Sequence, residues 1–570
     1  MVRIPGAVAS TGGTRIVIEA DILIEGGTIV DGTGAPGFPG SVAVVGDRLR
    51  VLRSAAAGWA AETVQAEGVG VGARRGDATA VRAGRRIDAR GLVVAPGFID
   101  LHSHGGLLML AEPRNEPKVR QGVTTELIGV DGNAYAPFPS AADLADYVVL
   151  NGGLDGRPEI AYDWSTVAEY LARYDRRTSV NIAYVVGNSP LRIASVGWDE
   201  VEADGAAMAD QRARLREALE AGAFGLSTGL DYPPGSYATT AELVELASES
   251  ARLGGIYHTH VRYPLGDGFL DPYREAIEIG RRSGAPVHIT HFYHRPTFPG
   301  PPEVMLALVD DARAAGLDVT FDLYPSNWAS TRLLIMLPNW IQAGGLGPLR
   351  ERLADRKIRA RVRAESAARG RLFAGDRSWD EVRLGHFARP ENLEWEGRTL
   401  GNYLAATGLD PVDAICDLLL AEDLRINQVT PGPHRAGTEA FIRHPHAMIA
   451  TDGVMIGAKP APRTYGTYPQ ILGELVREDR VLGLEAAVHK MTGASAARLG
   501  LADRGVIADG LKADLVVFDP ARVRSLATYE DPRRYPVGIP YVLVNGVLVV
   551  DGGEHTGATP GRALRRGRPD

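Results

Sequence analysis

From about residue 97 to residue 453 the chain alternates two textures. Short runs of apolar, β-branched residues give way to longer stretches whose apolar positions recur every three or four residues before a glycine. The short runs predict β-strands, and the periodic stretches predict amphipathic helices laid across them. Eight strands can be read: GFIDLHSH (97–104), TTELIGV (124–130), SVNIAYVVG (179–187), AFGLSTG (223–229), IYHTHV (256–261), PVHITHF (286–292), DVTFDLYP (318–325) and HAMIATDG (446–453). Between them, stretches such as TAELVELASESARLG and YREAIEIGRRSG carry one apolar face and end at glycine. Eight strands with helical crossovers predict an α/β fold, a (β/α)8 TIM-type barrel over residues 96–505.

The flanks read differently. Residues 20–53, 511–520 and 540–557 alternate short β-branched runs with Gly, Asp and Pro turns, and GGTIVDGTG near the start echoes NGVLVVDGG near the end. Two arms, 1–95 and 506–570, are therefore expected to meet in one small β-sandwich or β-barrel domain. Residues 55–87, rich in Ala, Gly and Arg, read as a loose excursion from the first arm. The gap from Pro325 to His446 is too long for one crossover. It predicts the seventh helix plus an insertion, at about 335–440, lying over the barrel mouth as a lid.

Composition narrows the function classes. At 570 residues, 45% hydrophobic and 23% charged, the chain can bury a large core. A formal net charge of −8 argues against nucleic acid as a partner. The first twenty residues lack the apolar run of a secretory signal, and no stretch reaches the roughly 18 apolar residues of a membrane span. A cytoplasmic protein without a membrane partner is expected. The single cysteine, Cys416, excludes an intrachain disulfide and reads as a core thiol. Of the five lysines, none lies on a predicted barrel strand.

In such barrels the active site lies at the C-terminal ends of the strands. There the sequence places His102 and His104, Asp131, His260, His291 and Asp452. Residues i and i+2 of a strand share a face, so His102 and His104 are expected to reach one ion together. A divalent metal such as zinc takes imidazole nitrogen and carboxylate oxygen, and activates a bound water. A lone strand histidine is ordinarily a packing residue; the set carries the inference. His258 shares a face with His260 and is a candidate to reach the site or its substrate, whereas His288 lies a step deeper and reads as structural. His294 adjoins the set, and His386, His434, His444, His446, His489 and His555 read as surface or packing residues.

The pattern PGFIDLHSH, histidines ending strands five and six, and TDG on strand eight resembles the amidohydrolase superfamily. QGVTTELIGVDGNAYAP, GAFGLSTGLDYPPGSYATTAEL, GGIYHTHVR and DLYPSNWASTRL are similar to the N-acyl-D-amino-acid deacylases (D-aminoacylases), a likeness that runs from about residue 20 onward. The resemblance implies ligand roles for His102, His104, His260 and His291, and both ligation and general acid/base work for Asp452. It implies one or two divalent ions, Zn2+ above others, and a small N-acylated substrate.

Three positions depart from that family's pattern. Asp131 stands where a cysteine ligand is usual, Tyr293 where a lysine is usual, and Asn188 where a histidine is usual. A carboxylate is a harder ligand than a thiolate and shifts metal preference away from zinc. Loss of the lysine leaves recognition of the substrate carboxylate to Arg262, Arg463, Tyr324 and Ser330, with Tyr293 and His258 as further substrate-binding candidates. The expected reaction is hydrolysis of an N-acyl-D-amino acid. One ion is expected at Asp131, His260 and His291, and a second at His102, His104 and Asp452. Hydrolysis of a cyclic amide or imide, deamination, and a non-catalytic scaffold are the alternatives.

Overall fold

The computed structural model describes residues 17–53, 80–295, 297–369 and 378–568. Five strands come first: β1 (Val17–Ile29), β2 (Phe38–Val45), β3 (Arg48–Arg53), β4 (Ala80–Asp88) and β5 (Val93–Pro96). Then follow β6 (Phe98–Asp100), β7 (Val123–Ile128), β8 (Asn181–Tyr184), β9 (Val186–Gly187), β10 (Gly225–Gly229), β11 (Ile256–His260), β12 (Val287–Ile289) and β13 (Val319–Leu323). Next are β14 (Trp328–Arg332), β15 (Arg383–Gly385), β16 (Asn427–Pro431) and β17 (Ala447–Ile449). The chain closes with β18 (Leu515–Phe518), β19 (Tyr541–Val544), β20 (Val547–Asp551) and β21 (Glu554–His555).

The predicted core strands are present as two parallel runs, β6-β7-β8 and β9-β10-β11-β12-β13-β17. Only Val185 separates β8 from β9, and a parallel bridge pairs Ser103, beyond β6, with Gly453, beyond β17. Residues on both faces of β7, β10, β11, β12 and β13 are buried, as expected of parallel strands covered by helices. The helices between them begin and end on local signals. Thr239 accepts the Glu242 amide (3.2 Å) to cap the helix Thr240–Arg252. The helix Asp271–Ser283 has Pro272 in its first turn and stops at Gly284, whose φ of 74° suits a residue without Cβ.

Several strands are shorter than their apolar runs. The first ends at Asp100, the sixth at Ile289 and the eighth at Ile449, so His102, His104, His291 and Asp452 all lie beyond strand ends. Asp131, His291 and Asp452 take φ values of 54°, 34° and 45°, which turn the chain out of the sheet.

Both chain ends contribute to one sheet, ordered β21-β20-β19-β18-β5-β1-β2-β3, with β4 also on β1. Its own apolar cluster includes Ile22, Ile24, Val42, Val44, Leu515 and Leu543. One expectation is corrected here. Residues 80–87, read as a loose excursion, belong to β4, which runs parallel to β1 from Val17↔Ala80 to Glu25↔Asp88; residues 55–79 lie outside the described residues. The last residues return to the parallel strands, with the Ile182 amide bonded to the Arg562 carbonyl (2.8 Å) and the Leu564 amide to the Ile182 carbonyl (2.7 Å).

The long gap before β17 holds helices and a small antiparallel sheet, β14-β16-β15, which starts at Trp328, upstream of the expected 335. Arg463 donates to the Trp328 carbonyl (2.7 Å), tying this sheet to the segment after Asp452. Lys118 lies off the strands, on the short helix Glu116–Val119. It is fully buried, 2.6 Å from Asp100 and 3.4 Å from Glu126. Among the described residues no helix is long and apolar enough to cross a membrane.

Candidate metal centre

Asp131 sits just past β7, in a left-handed backbone conformation that costs a non-glycine residue strain. Glycine at the end of β10 admits it: a Cβ on Gly229 would stand 1.8 Å from the Asp131 carbonyl oxygen. One carboxylate oxygen, Asp131 Oδ2, then lies 3.4 Å from His102 Nε2, 3.7 Å from His104 Nε2, 3.4 Å from His260 Nδ1 and 3.7 Å from His291 Nε2. His102 and His104 reach it by a route other than strand alternation. Beyond β6 the Ser103 amide bonds to the Leu127 carbonyl and the His104 amide to the Gly453 carbonyl, each at 3.2 Å. The two rings nevertheless stand side by side, centroids 5.3 Å apart.

The rear nitrogens decide what the front ones can do. His104 Nδ1 is 2.8 Å from Asp155, His260 Nε2 is 3.2 Å from Asp231, and His291 Nδ1 is 3.0 Å from the Tyr263 hydroxyl. With each rear N–H donating to those oxygens, the front nitrogen presents a lone pair, the tautomer a metal requires. His102 has no hydrogen-bond partner on either ring nitrogen, although both are buried. Asp322, 3.8 Å from its Nδ1, is the nearest carboxylate behind it. A buried imidazole with both nitrogens unmet beside a carboxylate fits a site built for a cation. Two sets of ligand atoms fit, His102/His104/Asp131 and Asp131/His260/His291, with Asp131 common to both. A third set, His102/His258/Asp322, lies behind them.

The electrostatics agree. Burial disfavours a charged imidazole, yet Asp131 and Asp452 outweigh it and lift His102 to about 10. Against the same burial, Asp131 and Asp231 lift His260 to about 9. Burial works against the Asp131 carboxylate, and the neighbouring His102 and His260 hold it well below the usual range. The cluster draws positive charge.

The other expected residues divide. Asp452 Oδ1 lies 3.6 Å from His102 Nε2 and 3.4 Å from His104 Nε2, while Oδ2 pairs with Arg463 Nη2 at 2.8 Å. Burial alone would raise this carboxyl; Arg463 and His102 overcome it and bring it down to about 2. Arg463 is buried, donates Nε to the Asp452 carbonyl (2.8 Å), and lies with its guanidinium carbon 4.3 Å from the Tyr324 ring centroid. Tyr293 and Tyr324 rings are 6.1 Å apart, and Ser330 donates to Asn427 (3.0 Å).

Two substrate candidates are corrected. Arg262 is held by Glu275 (3.1 Å) and by the Ser236 and Ala238 carbonyls (2.6 and 2.8 Å), which occupy its donors. His258 is fully buried behind His102, stacked on His288 at 5.1 Å, with Nε2 on the Leu101 carbonyl (3.1 Å). Burial and the neighbouring His288 push it down to about 3. It is closed off from a substrate. His288 bonds Thr320 (2.8 Å) and Asp322 (3.0 Å), in keeping with a structural residue. Asn188 donates to the Gly235 carbonyl (2.9 Å).

Sequence reasoning missed the residues behind the imidazoles: Asp155, Asp231, Tyr263 and Asp322. Asp322 left a trace, a carboxylate inside the apolar run DVTFDLYP; it also accepts the His291 amide at 2.7 Å. Asp100 was passed over too, although it accepts the amides of both His102 (3.2 Å) and Thr451 (2.9 Å) and so couples the two ends of the site.

Comparison with known proteins bears on this geometry. The sequence profile of the amidohydrolase family matches residues 85–550. An N-acyl-D-glutamate deacylase of Alcaligenes xylosoxydans xylosoxydans is 33% identical over 552 residues, 96% of this chain and 97% of the relative. A D-aminoacylase of the same organism is 34% identical over 549 residues, 96% and 98% of the two chains. The crystal structure of N-acyl-D-glutamate deacylase from Bordetella bronchiseptica contains zinc and a phosphonate inhibitor that mimics the tetrahedral intermediate. It superposes with a TM-score of 0.76 at 30% identity, covering 96% of this chain and all of that one.

Proposed function

This chain belongs to the amidohydrolase family, and from that premise we propose that it is a metal-dependent hydrolase that removes the N-acyl group of a D-amino acid by attack of water on the amide carbonyl. The observation that carries the reading is the convergence of four imidazoles on Asp131 Oδ2, at 3.4 to 3.7 Å. Asp131, His260 and His291 would hold one divalent ion, zinc by the relatives' chemistry. His102, His104 and Asp131, with Asp452 beside them, would hold a second. This refines the expected assignment, in which Asp131 served one ion only. When bound, such an ion polarises the carbonyl and brings the pKa of water near neutrality.

The chain's own residues do the rest. Asp452 stays ionised through its pairing with Arg463, so its Oδ1 is ready to take the proton released by water and return it to the leaving nitrogen. Arg463, Tyr324 and Ser330 line the side from which the substrate's α-carboxylate is held, with Tyr293 adjoining Tyr324. Asp155, Asp231 and Tyr263 keep the imidazoles in the tautomer that serves the centre.

The architecture belongs to the same reading. The continuity of β8 into β9 and the Ser103–Gly453 bridge support one closed (β/α)8 barrel over residues 96–505. The two chain ends form its small β-domain, and the β14-β16-β15 segment covers the mouth. The test is turnover of N-acetyl-D-amino acids against their L-enantiomers, read as free amine. Hydrolysis of the D-series alone is expected; ring opening of cyclic imides with no hydrolysis of linear substrates would overturn the reading.

A further inference from the structure

Arg332, the last residue of β14, is 1% exposed. Its Nη1 donates to Asn151 Oδ1 (2.5 Å) and to the Leu150 carbonyl (3.2 Å). Its Nε and Nη2 have no hydrogen-bond partner among the described residues. Those two nitrogens form the side-on edge of the guanidinium, the edge that pairs with a carboxylate through two parallel hydrogen bonds. Other arginines buried as deeply each have a carboxylate: Arg192 has Glu242 at 2.5 Å, Arg463 has Asp452 at 2.8 Å and Arg504 has Asp514 at 2.5 Å. A buried cation without an anion is costly, and burial accordingly pushes this guanidinium below its ordinary pKa.

The place of this guanidinium ties it to the metal centre. Its central carbon lies 5.0 Å from the Tyr232 ring centroid, and that ring lies 5.0 Å from the His260 ring. Tyr232 is fixed by Thr331 (2.9 Å), the neighbour of Arg332 on β14. Tyr232 also packs with the buried side chains of Leu154, Val454 and Ile456. The unpaired edge therefore belongs to the wall next to His260, one aromatic ring away from it.

We propose that the Nε–Nη2 edge of Arg332 receives a carboxylate on the substrate's side chain, so that acidic N-acyl-D-amino acids are the preferred class. The inference rests on the deacylase reading and deepens it. Ser330, a candidate for holding the α-carboxylate, precedes Arg332 by two residues on the same strand face, about 7 Å along β14. The two carboxylate carbons of an extended glutamate stand about 5 Å apart, four bonds of about 1.5 Å bent at tetrahedral angles. One dicarboxylate can therefore meet both positions. The required chemistry is a second carboxylate. The alignment of both positions along β14 assigns it to the amino-acid side chain and not to the acyl group.

The test compares N-acetyl-D-glutamate with its neutral isostere N-acetyl-D-glutamine, with N-acetyl-D-leucine and N-succinyl-D-leucine as further arms. In the wild-type enzyme kcat/KM should favour glutamate over glutamine by about 100-fold or more, because the neutral analogue leaves a buried donor pair unmet. In Arg332→Gln the ratio should fall to near one. A wild-type ratio near one, with good turnover of N-acetyl-D-leucine, overturns this inference alone and needs no variant. A ratio that survives in Arg332→Gln overturns it too. A preference that follows the succinyl group overturns the assignment to the side chain. Absence of hydrolysis on every N-acyl-D-amino acid, neutral and acidic, overturns the deacylase reading and this inference with it.

Discussion

Replacing Asp452 by asparagine separates proton transfer from metal holding. The substitution keeps size and hydrogen-bonding atoms but removes the charge that lies 3.4 and 3.6 Å from the nitrogens of His104 and His102. An amide cannot take the proton from the attacking water, and a positioned general acid or base contributes about 10²–10⁴-fold to rate. The barrier to hydrolysis should therefore rise by about 3–5.5 kcal/mol. A second effect is structural. Arg463 loses its buried ion-pair partner at 2.8 Å, but its bonds to the Asp452 and Trp328 carbonyls (2.8 and 2.7 Å) remain. Breaking a buried pair costs about 3–5 kcal/mol when nothing else holds the survivor; the two carbonyls should keep the loss below that. The assay is single-substrate kinetics on an N-acetyl-D-amino acid, with elemental analysis and a urea unfolding curve on the same preparation. Expected are a kcat lowered at least about 100-fold, metal largely retained at Asp131, His260 and His291, and a folded chain. A variant that keeps metal and more than about a tenth of wild-type kcat would refute the assignment of Asp452 as the proton shuttle.

Further outcomes follow from the same geometry. Asp155→Asn removes the charged acceptor 2.8 Å behind His104 and should weaken metal binding by about 10–100-fold in a chelator competition; unchanged affinity would contradict the tautomer argument. Lys118→Met strands the Asp100 and Glu126 carboxylates in a fully buried site and should lower stability by about 3–5 kcal/mol in urea, an effect refuted by an unshifted midpoint. Burial raises the Cys416 thiol to about 12, above its unfolded value. Below the unfolded pKa this shift is neutral; above it, the folded chain alone keeps its proton, so stability falls as pH rises toward 12. In the native chain a disulfide reagent should react no faster at pH 9 than at pH 7 beyond the rate of unfolding, and a fast native reaction would contradict it.

The apolar runs betrayed the strands because parallel strands buried on both faces must be apolar almost throughout. The same runs overstated strand length. The sequence carries no mark of where φ turns positive at His291 and Asp452, so the site was legible as a set of residues and not as a geometry. His102 and His104 met as expected, but by the bend that brings Ser103 against Gly453. The residues behind the imidazoles come from loops and strand ends far along the chain, and no periodicity announces such pairings. Arg262 and Arg463 looked alike as cations near the mouth. Only folding distinguishes them, one held by Glu275 and the other by Asp452. Residues 80–87 failed as a strand in the sequence because their Arg- and Gly-rich texture lacks alternation, and their pairing with β1 is a long-range contact.

The central claim, that a divalent ion at Asp131 and its four imidazoles performs amide hydrolysis, is tested most directly by stripping the purified chain with a chelator and reloading it. Hydrolysis of an N-acetyl-D-amino acid should vanish with the metal and return with about one to two equivalents of zinc or another divalent ion per chain. Full activity in the stripped protein would contradict the account.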